Sequence, residues 1–252
     1  MPVAFSFCRT LRAFIVLLLL AWVFSAFAAG DLPVSSDELA ARIQDTETNS
    51  ELSEGDKTAL LGVYRGIQAE IDAYQLNRQA TKKYAKSIAE APLETARLQG
   101  EIAQAKANPY ESTIHFEIDA TIADIEQRLL KEKADLTAVE TDYNSLKKQL
   151  GDQQARVAAA RKELAEANSQ LSAISDIAEP VVSVAASQQL ETAVALQKEV
   201  KSAQLDSRIK MLDQELLSHG PRVKLLKAKV ERRAIAIGNL QRDVEVIDGY
   251  LS

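Results

Sequence analysis

His115 and His219 are the two histidines of the chain, and imidazole is the side chain most used for zinc binding and for acid–base work near neutral pH. Neither stands at ligand spacing from another His or Cys, so no metal motif arises. The 36 Asp and Glu residues are interleaved with 30 Lys and Arg. A carboxylate pair needs a shielded cleft before it can trade protons with a substrate, and interleaved charge on helix faces does not make one. No G-x-S-x-G, G-x-G-x-x-G or Walker loop is present. These residues imply no enzyme and no cofactor.

What the charged and apolar residues share is a period. The chain has 252 residues with 9 Gly, 6 Pro and 5% aromatics, too few turn formers for a β fold. Ala, Leu, Gln, Glu, Lys and Arg dominate, and all are good helix formers. That composition belongs to long helices and coiled coils.

Residues 1–28 obey a different logic. Arg9 and Arg12 precede the uncharged run "AFIVLLLLAWVFSAFAAG", Ala13 to Gly30, which contains the small-residue pattern Ala26-Phe27-Ala28. This reads as a secretory signal cut after Ala28; the alternative is an uncleaved anchor, since 18 uncharged residues approach the length of a span. Either way the rest is exported, to a periplasmic, membrane-associated location. Cys8 is the single cysteine, so the mature chain has no disulfide and must be held by packing. Without Arg9 and Arg12 there are 28 basic and 36 acidic residues, a net charge of −8, which argues against nucleic acid as a partner.

Residues 29–56 form an acidic segment. Asp31 to Asp56 holds 8 acidic residues and one basic residue, Arg42, and Ser35 with Glu38 suggests a capping box for a short helix from Asp37 to about Thr48. The expectation is a solvated lead-in, with an acidic arm docked on a basic face as the alternative.

Heptads then fill residues 57–252. From Leu60 the seam runs through Tyr64, Ile67, Ile71, Tyr74, Arg78, Thr81, Ala85 and Ile88. The longest register is Ile118, Ile122, Ile125, Leu129, Leu136, Val139, Tyr143, Leu146 and Leu150, continuing through Val157, Leu164, Leu171 and Ile174. Glu132, Gln153, Ala160 and Ala167 occupy the same seam without a large apolar group. So sustained a repeat predicts supercoiled helix. A third run holds Leu205, Ile209, Leu212 and Leu216, and a fresh register starts at Val223. Pro and Gly place breaks near 91–92, 107–112, 179–180 and 219–221. At the last of these, Gly220 suits a left-handed C-cap and Pro221 a new helix start, compatible with a kink or a hairpin. Helical runs over 57–106, 113–178 and 183–251 joined by short breaks predict an all-α, up-down-up antiparallel coiled-coil bundle.

"RVKLLKAKVERR" concentrates Arg222, Lys224, Lys227, Lys229, Arg232 and Arg233 around a Val223–Leu226–Val230 stripe. Charge flanking a coiled-coil seam is the first reading; contact with anionic headgroups is the second.

Three stretches resemble one family: "IDAYQLNRQATKKYAKSIAEAPLETARLQGEI" (Ile71 to Ile102), "LTAVETDYNSLKKQLGDQQARVAAARKELAEANSQLSAI" (Leu136 to Ile174) and "QLDSRIKMLDQELLSHGPRVKLLKAKVERR" (Gln204 to Arg233). They are similar to the periplasmic porin domain of large, potassium-dependent MscS-type mechanosensitive channels. The element Leu212, Gln214, Glu215, Leu216, Leu217, Ser218, then Pro221, carries it best. The resemblance covers residues 36 to 252 and implies a helical region placed ahead of membrane-spanning helices in a tension-gated channel. After residue 28 no run of about 18 apolar residues follows, so the expectation is the extramembrane part alone, unable to form a pore by itself. The implied role is non-catalytic: packing, assembly or gating of a channel, through contact with its membrane domain or with itself. The alternative is a free-standing periplasmic adaptor coiled coil.

Overall fold

A computed structural model describes residues 32–176 and 186–252. These form helices α1 (Ser36–Thr48), α2 (Glu54–Ala107), α3 (Ile122–Ser172) and α4 (Ser187–Leu251), with a short 3-10 turn at Ile174–Asp176. The described residues contain no strand. The described residues divide into two compact units, 32–71 with 186–203 and 72–176 with 204–252. The signal reading of residues 1–28 and the break at 179–180 lie outside the described residues.

The first unit is built on apolar burial. Ser35 caps α1 by accepting from the Glu38 amide at 3.1 Å, while the Glu38 carboxylate turns to Arg42 at 2.8 Å rather than back to the cap. Ser53 caps α2 in the same way, its hydroxyl accepting from the Asp56 amide at 3.2 Å. Val34, Leu39 and Leu52 close over Leu60, Ile67 and Ile71 of α2 and Leu190, Val194 and Val200 of α4. The acidic lead-in is thus neither solvated throughout nor docked on a basic face, because the apolar stripe at Val34 and Leu39 decides where it packs. A Cβ on Gly66 would come 3.0 Å from the side-chain Nε2 of Gln197, a contact the flexible glutamine can relieve by a small shift.

The second unit is the up-down-up bundle. Its α2 and α4 portions run parallel: Asn77 reaches Ser207, Glu101 meets Arg232, and Lys106 meets Glu231, at sequence offsets of 130, 131 and 125 residues. Between them α3 runs the other way, since Arg156 meets Glu215 and Asp142 meets Arg233. At 1.5 Å per residue α3 alone is about 77 Å long. Thr121 and Asp124 form a reciprocal capping box that starts it. The connector before it, residues 108–121, is non-helical and tied to α4: the Tyr110 hydroxyl bonds both Asp243 carboxylate oxygens at 2.9 and 2.8 Å, and Phe116 meets Tyr250 edge to face with ring centroids 5.0 Å apart.

Two of the expected breaks do not exist. α2 continues through Pro92 and α4 through Pro221. Proline removes one helical donor and crowds the preceding turn, yet both sites are braced. Beside Pro92, Ala91, Thr95 and Leu98 are buried, and the Thr95 hydroxyl bonds the Ala91 carbonyl at 2.7 Å. Beside Pro221, Ser218 is fully buried and Arg222 stacks on Tyr84. Packing on both flanks overrides the local penalty. Gly220 is not a left-handed cap, as no described glycine has positive φ, and the hairpin reading is excluded. The break at 107–112 does occur, at the end of α2. Along α2 the spacing also slips once: Asn77 and Tyr84 take the inward positions expected for Arg78 and Ala85, both exposed. A three-residue step of this kind locally overwinds a heptad seam.

Candidate functional site

From Ile125 onward, the α3 seam is inward at every heptad position. Ile125 and Leu146 are buried, and Leu129, Leu136, Val139, Tyr143 and Leu150 are half-buried. Glu132, Ala160 and Ala167 on the same line are buried as well. Ile118 and Ile122 depart from this register. Ile118 precedes the capping box on non-helical chain and is fully exposed, and Ile122, the first helical residue, is 70% exposed. A 3.5-residue period sets a face only where the backbone is helical.

The family-like element of α4 occupies the centre of the second unit. Leu212, Glu215 and Ser218 are buried, Gln214, Leu216 and Pro221 half-buried, and Leu217 exposed. Glu215 is only 5% exposed, and an ionised carboxylate there requires partners. Arg156 of α3 supplies a bidentate clamp, Nε to Oε1 at 2.8 Å and Nη2 to Oε2 at 2.9 Å. The Tyr84 phenol of α2 lies near enough to the same carboxylate to feel its charge. The Glu215 carbonyl accepts from Ser218 Oγ at 2.8 Å and from Arg222 Nη2 at 3.4 Å. Arg222 lies 4.8 Å over the Tyr84 ring, close enough for a cation–π contact. Arg156 also grips Glu163, one heptad further along α3, with Nη2 at 3.1 Å from Oε2, and Arg208 stands 3.9 Å from Glu163. All three helices therefore meet in one polar layer.

Electrostatics follow the geometry. The Arg156 hydrogen bond holds Glu163 below the usual carboxylate range, against the opposing effect of burial. Arg156 is raised further above its already high value by Glu163 and then Glu215. Burial pushes the Tyr84 phenol up, and the Glu215 charge adds to it. Tyr84, Arg156 and Glu163 are each held more firmly in their resting protonation states, which suits a structural clamp.

Ion pairs recur elsewhere in this unit. Around the groove lined by Leu98, Leu146 and Lys229, each carboxylate has a guanidinium: Glu94 with Arg97 at 2.6 Å, Glu101 with Arg232 at 3.3 Å, Asp142 with Arg233 at 2.6 Å. Of the basic run, Arg222, Arg232 and Arg233 make contacts across helices, while Lys224 and Lys227 point to solvent. His115 sits exposed in the connector and His219 half-buried in α4. Among the described residues no group of three or more His, Cys, Asp or Glu could hold a metal ion.

Sequence reasoning missed Tyr84, Arg156, Glu163 and Asp243. Arg156 and Glu163 immediately precede the seam residues Val157 and Leu164, and a charge repeating at heptad spacing beside a seam was the available signal. The connector also had one: Tyr110, Ser112, Ile114 and Phe116 are half-buried and alternate with exposed Glu111, Thr113, His115 and Glu117, a period of two.

The family model described as the mechanosensitive ion channel porin domain matches residues 42–252. No curated protein and no solved structure matches the chain.

Proposed function

Because the chain belongs to the mechanosensitive ion channel porin domain family, which is not an enzyme family, we propose that it is a non-catalytic, membrane-associated helical module of an MscS-type channel, contributing to packing, assembly or gating. The family match carries this reading. The arrangement supports it: three helices clamped by ion pairs and hydrogen bonds across a shared layer suit a stiff element better than a ligand cleft. No described helix is long and apolar enough to cross a membrane, and a helical pore requires such helices, so we assign ion conduction to a region outside the described residues or to a partner. We place the module on the exported side, on the strength of the charge and apolar pattern of residues 1–28. The partner surface is either the channel's membrane domain or a second copy, met through helix packing, with Lys224 and Lys227 free to face an anionic headgroup layer.

Deleting residues 42–252 and measuring survival of hypo-osmotic shock, together with the tension threshold of the channel in membrane patches, tests the proposal. A shifted threshold or a loss of assembled channel is expected. An unchanged threshold with normal assembly, and a stable complex with other envelope components instead, would make the chain an adaptor coiled coil.

A further inference from the structure

The α3 seam has a weakness inherent in its regularity. Val157, Leu164 and Leu171 are seven residues apart, as are Ala160 and Ala167, and all face inward. Sliding α3 by one heptad, about 10 Å along its axis, so that Leu164 takes the place of Val157 exchanges apolar for apolar from Val157 to Ala167, whereas the opposite slide sets Gln153 at the buried place of Ala160. Burial is non-directional and proportional to area, so it cannot by itself choose between the two positions. Ion pairs on the rim, such as Lys133 with Asp248 at 3.6 Å and roughly half exposed, are too weak to choose either.

The polar layer can. A slide that carries Glu163 to the place of Arg156 would set its carboxylate against the buried carboxylate of Glu215. Two carboxylates sharing a desolvated site cannot both stay ionised. The opposite slide would bring Gln149, which cannot supply a bidentate cationic fork. We propose that Arg156, Glu163 and Glu215 form a register lock. Arg156 rewards the native alignment by clamping Glu215. Glu163, satisfied by Arg156 in that alignment, penalises the neighbouring one. Arg222 stacked on Tyr84 closes the layer between α4 and α2, so a slide of α3 breaks its clamp on a Glu215 that the neighbouring helices hold in place. This deepens the channel-module reading, because a bundle that passes load along its axis must resist sliding; the lock is nonetheless a property of the chain on its own.

The test uses the full chain carrying Cys8→Ser, with nitroxide labels introduced through Lys148→Cys and Gln241→Cys, both exposed positions in the second unit. Pulsed electron-spin distance measurements should give one population for the natural layer. Glu163→Arg places a second guanidinium one heptad away and makes the slid alignment acceptable, so a second population displaced by about 10 Å should appear. Arg156→Leu/Glu215→Leu should do the same while helicity is retained. A single native distance in both folded variants overturns the proposal. Loss of folding in both also overturns it, since the layer would then carry stability and not register. Should Arg156→Leu/Glu215→Leu alone fail to fold, Glu163→Arg decides. A second population combined with an unshifted channel threshold on deletion would keep the lock and remove the channel reading.

Discussion

Around Ile67 the chain buries Leu39, Leu60, Ile71, Val194 and Val200, and the buried polar groups of that unit find partners within a turn, Thr46 on the Arg42 carbonyl and Asp56 on Ser53. In the second unit the partners come from other elements: Arg156 of α3 on Glu215, Asn77 of α2 on Ser207 two turns before it, and Tyr110 of the connector on Asp243 far along α4. Apolar contact brings elements together without fixing where along their length they meet. Polar groups satisfied across helices fix that position, because any displacement leaves a desolvated group unpaired. The first unit is thus held mainly by burial, with the half-buried Glu70–Lys201 pair at 2.7 Å crossing from α2 to α4, and the second is in addition aligned by buried polar contacts across its elements.

Truncation separates the two modes. Ile67→Ala, at a fully buried position, should cost about 2–5 kcal/mol, and Glu215→Ala about 3 kcal/mol, the lower end for a broken buried pair because Arg156 keeps Glu163. Chemical denaturation reads both. The contrast lies in the rescue: adding Arg156→Leu to Glu215→Leu should recover most of the second loss, whereas no second substitution near Ile67 refills its cavity. If the double apolar variant is as unstable as Glu215→Ala, the cross-helix layer is not the distinguishing feature.

Asp243→Asn weakens the acceptor of Tyr110 and Ser112 and should cost about 1–2 kcal/mol. Melting curves should show it, with faster proteolysis of the connector. Pro92→Ala, where the ring is exposed on an otherwise continuous helix, should stabilise by about 1–3 kcal/mol; a loss of stability there would mean the helix uses the missing donor.

Acid gives a smaller, directional effect. Glu163 is held below its unfolded value of about 4.5, so its contribution is present above that value and disappears as pH falls through the lower folded one. The melting temperature should drop between about pH 6 and about pH 3, and Glu163→Gln should flatten part of that drop. Smallest of all, Arg233→Ala at the half-exposed pair with Asp142 should change stability by less than about 1 kcal/mol.

The helices and the α3 seam were legible because periodicity is a property of the sequence alone: Ile125 to Ile174 needed no partner to be read. The element Leu212 to Ser218 was legible as a motif, but Glu215 could not be seen as its centre, since its burial depends on Arg156 and Tyr84, 59 and 131 residues away. Pro92 and Pro221 misled for the same reason. Their local cost is visible in sequence, while the flanking packing that offsets it is not. Ile118 misled in the opposite direction, extending a register past the cap that ends it.

The in-register parallel pairing of α2 and α4 has a consequence for how the domain is made. Contacts between α3 and α4 close intervals from 59 residues at Arg156–Glu215 to 115 at Lys133–Asp248, but those between α2 and α4 close about 131, an added chain-closure entropy of up to roughly 0.7 kcal/mol. The α3–α4 hairpin is therefore the natural nucleus. Within the second unit the helix synthesised first, α2, is the last to find its place: at 5–20 residues per second, Leu98 and Ile102 wait roughly 6–26 s for Ala228 to be made, long enough that an apolar stripe on nascent α2 must be shielded by something other than its own fold.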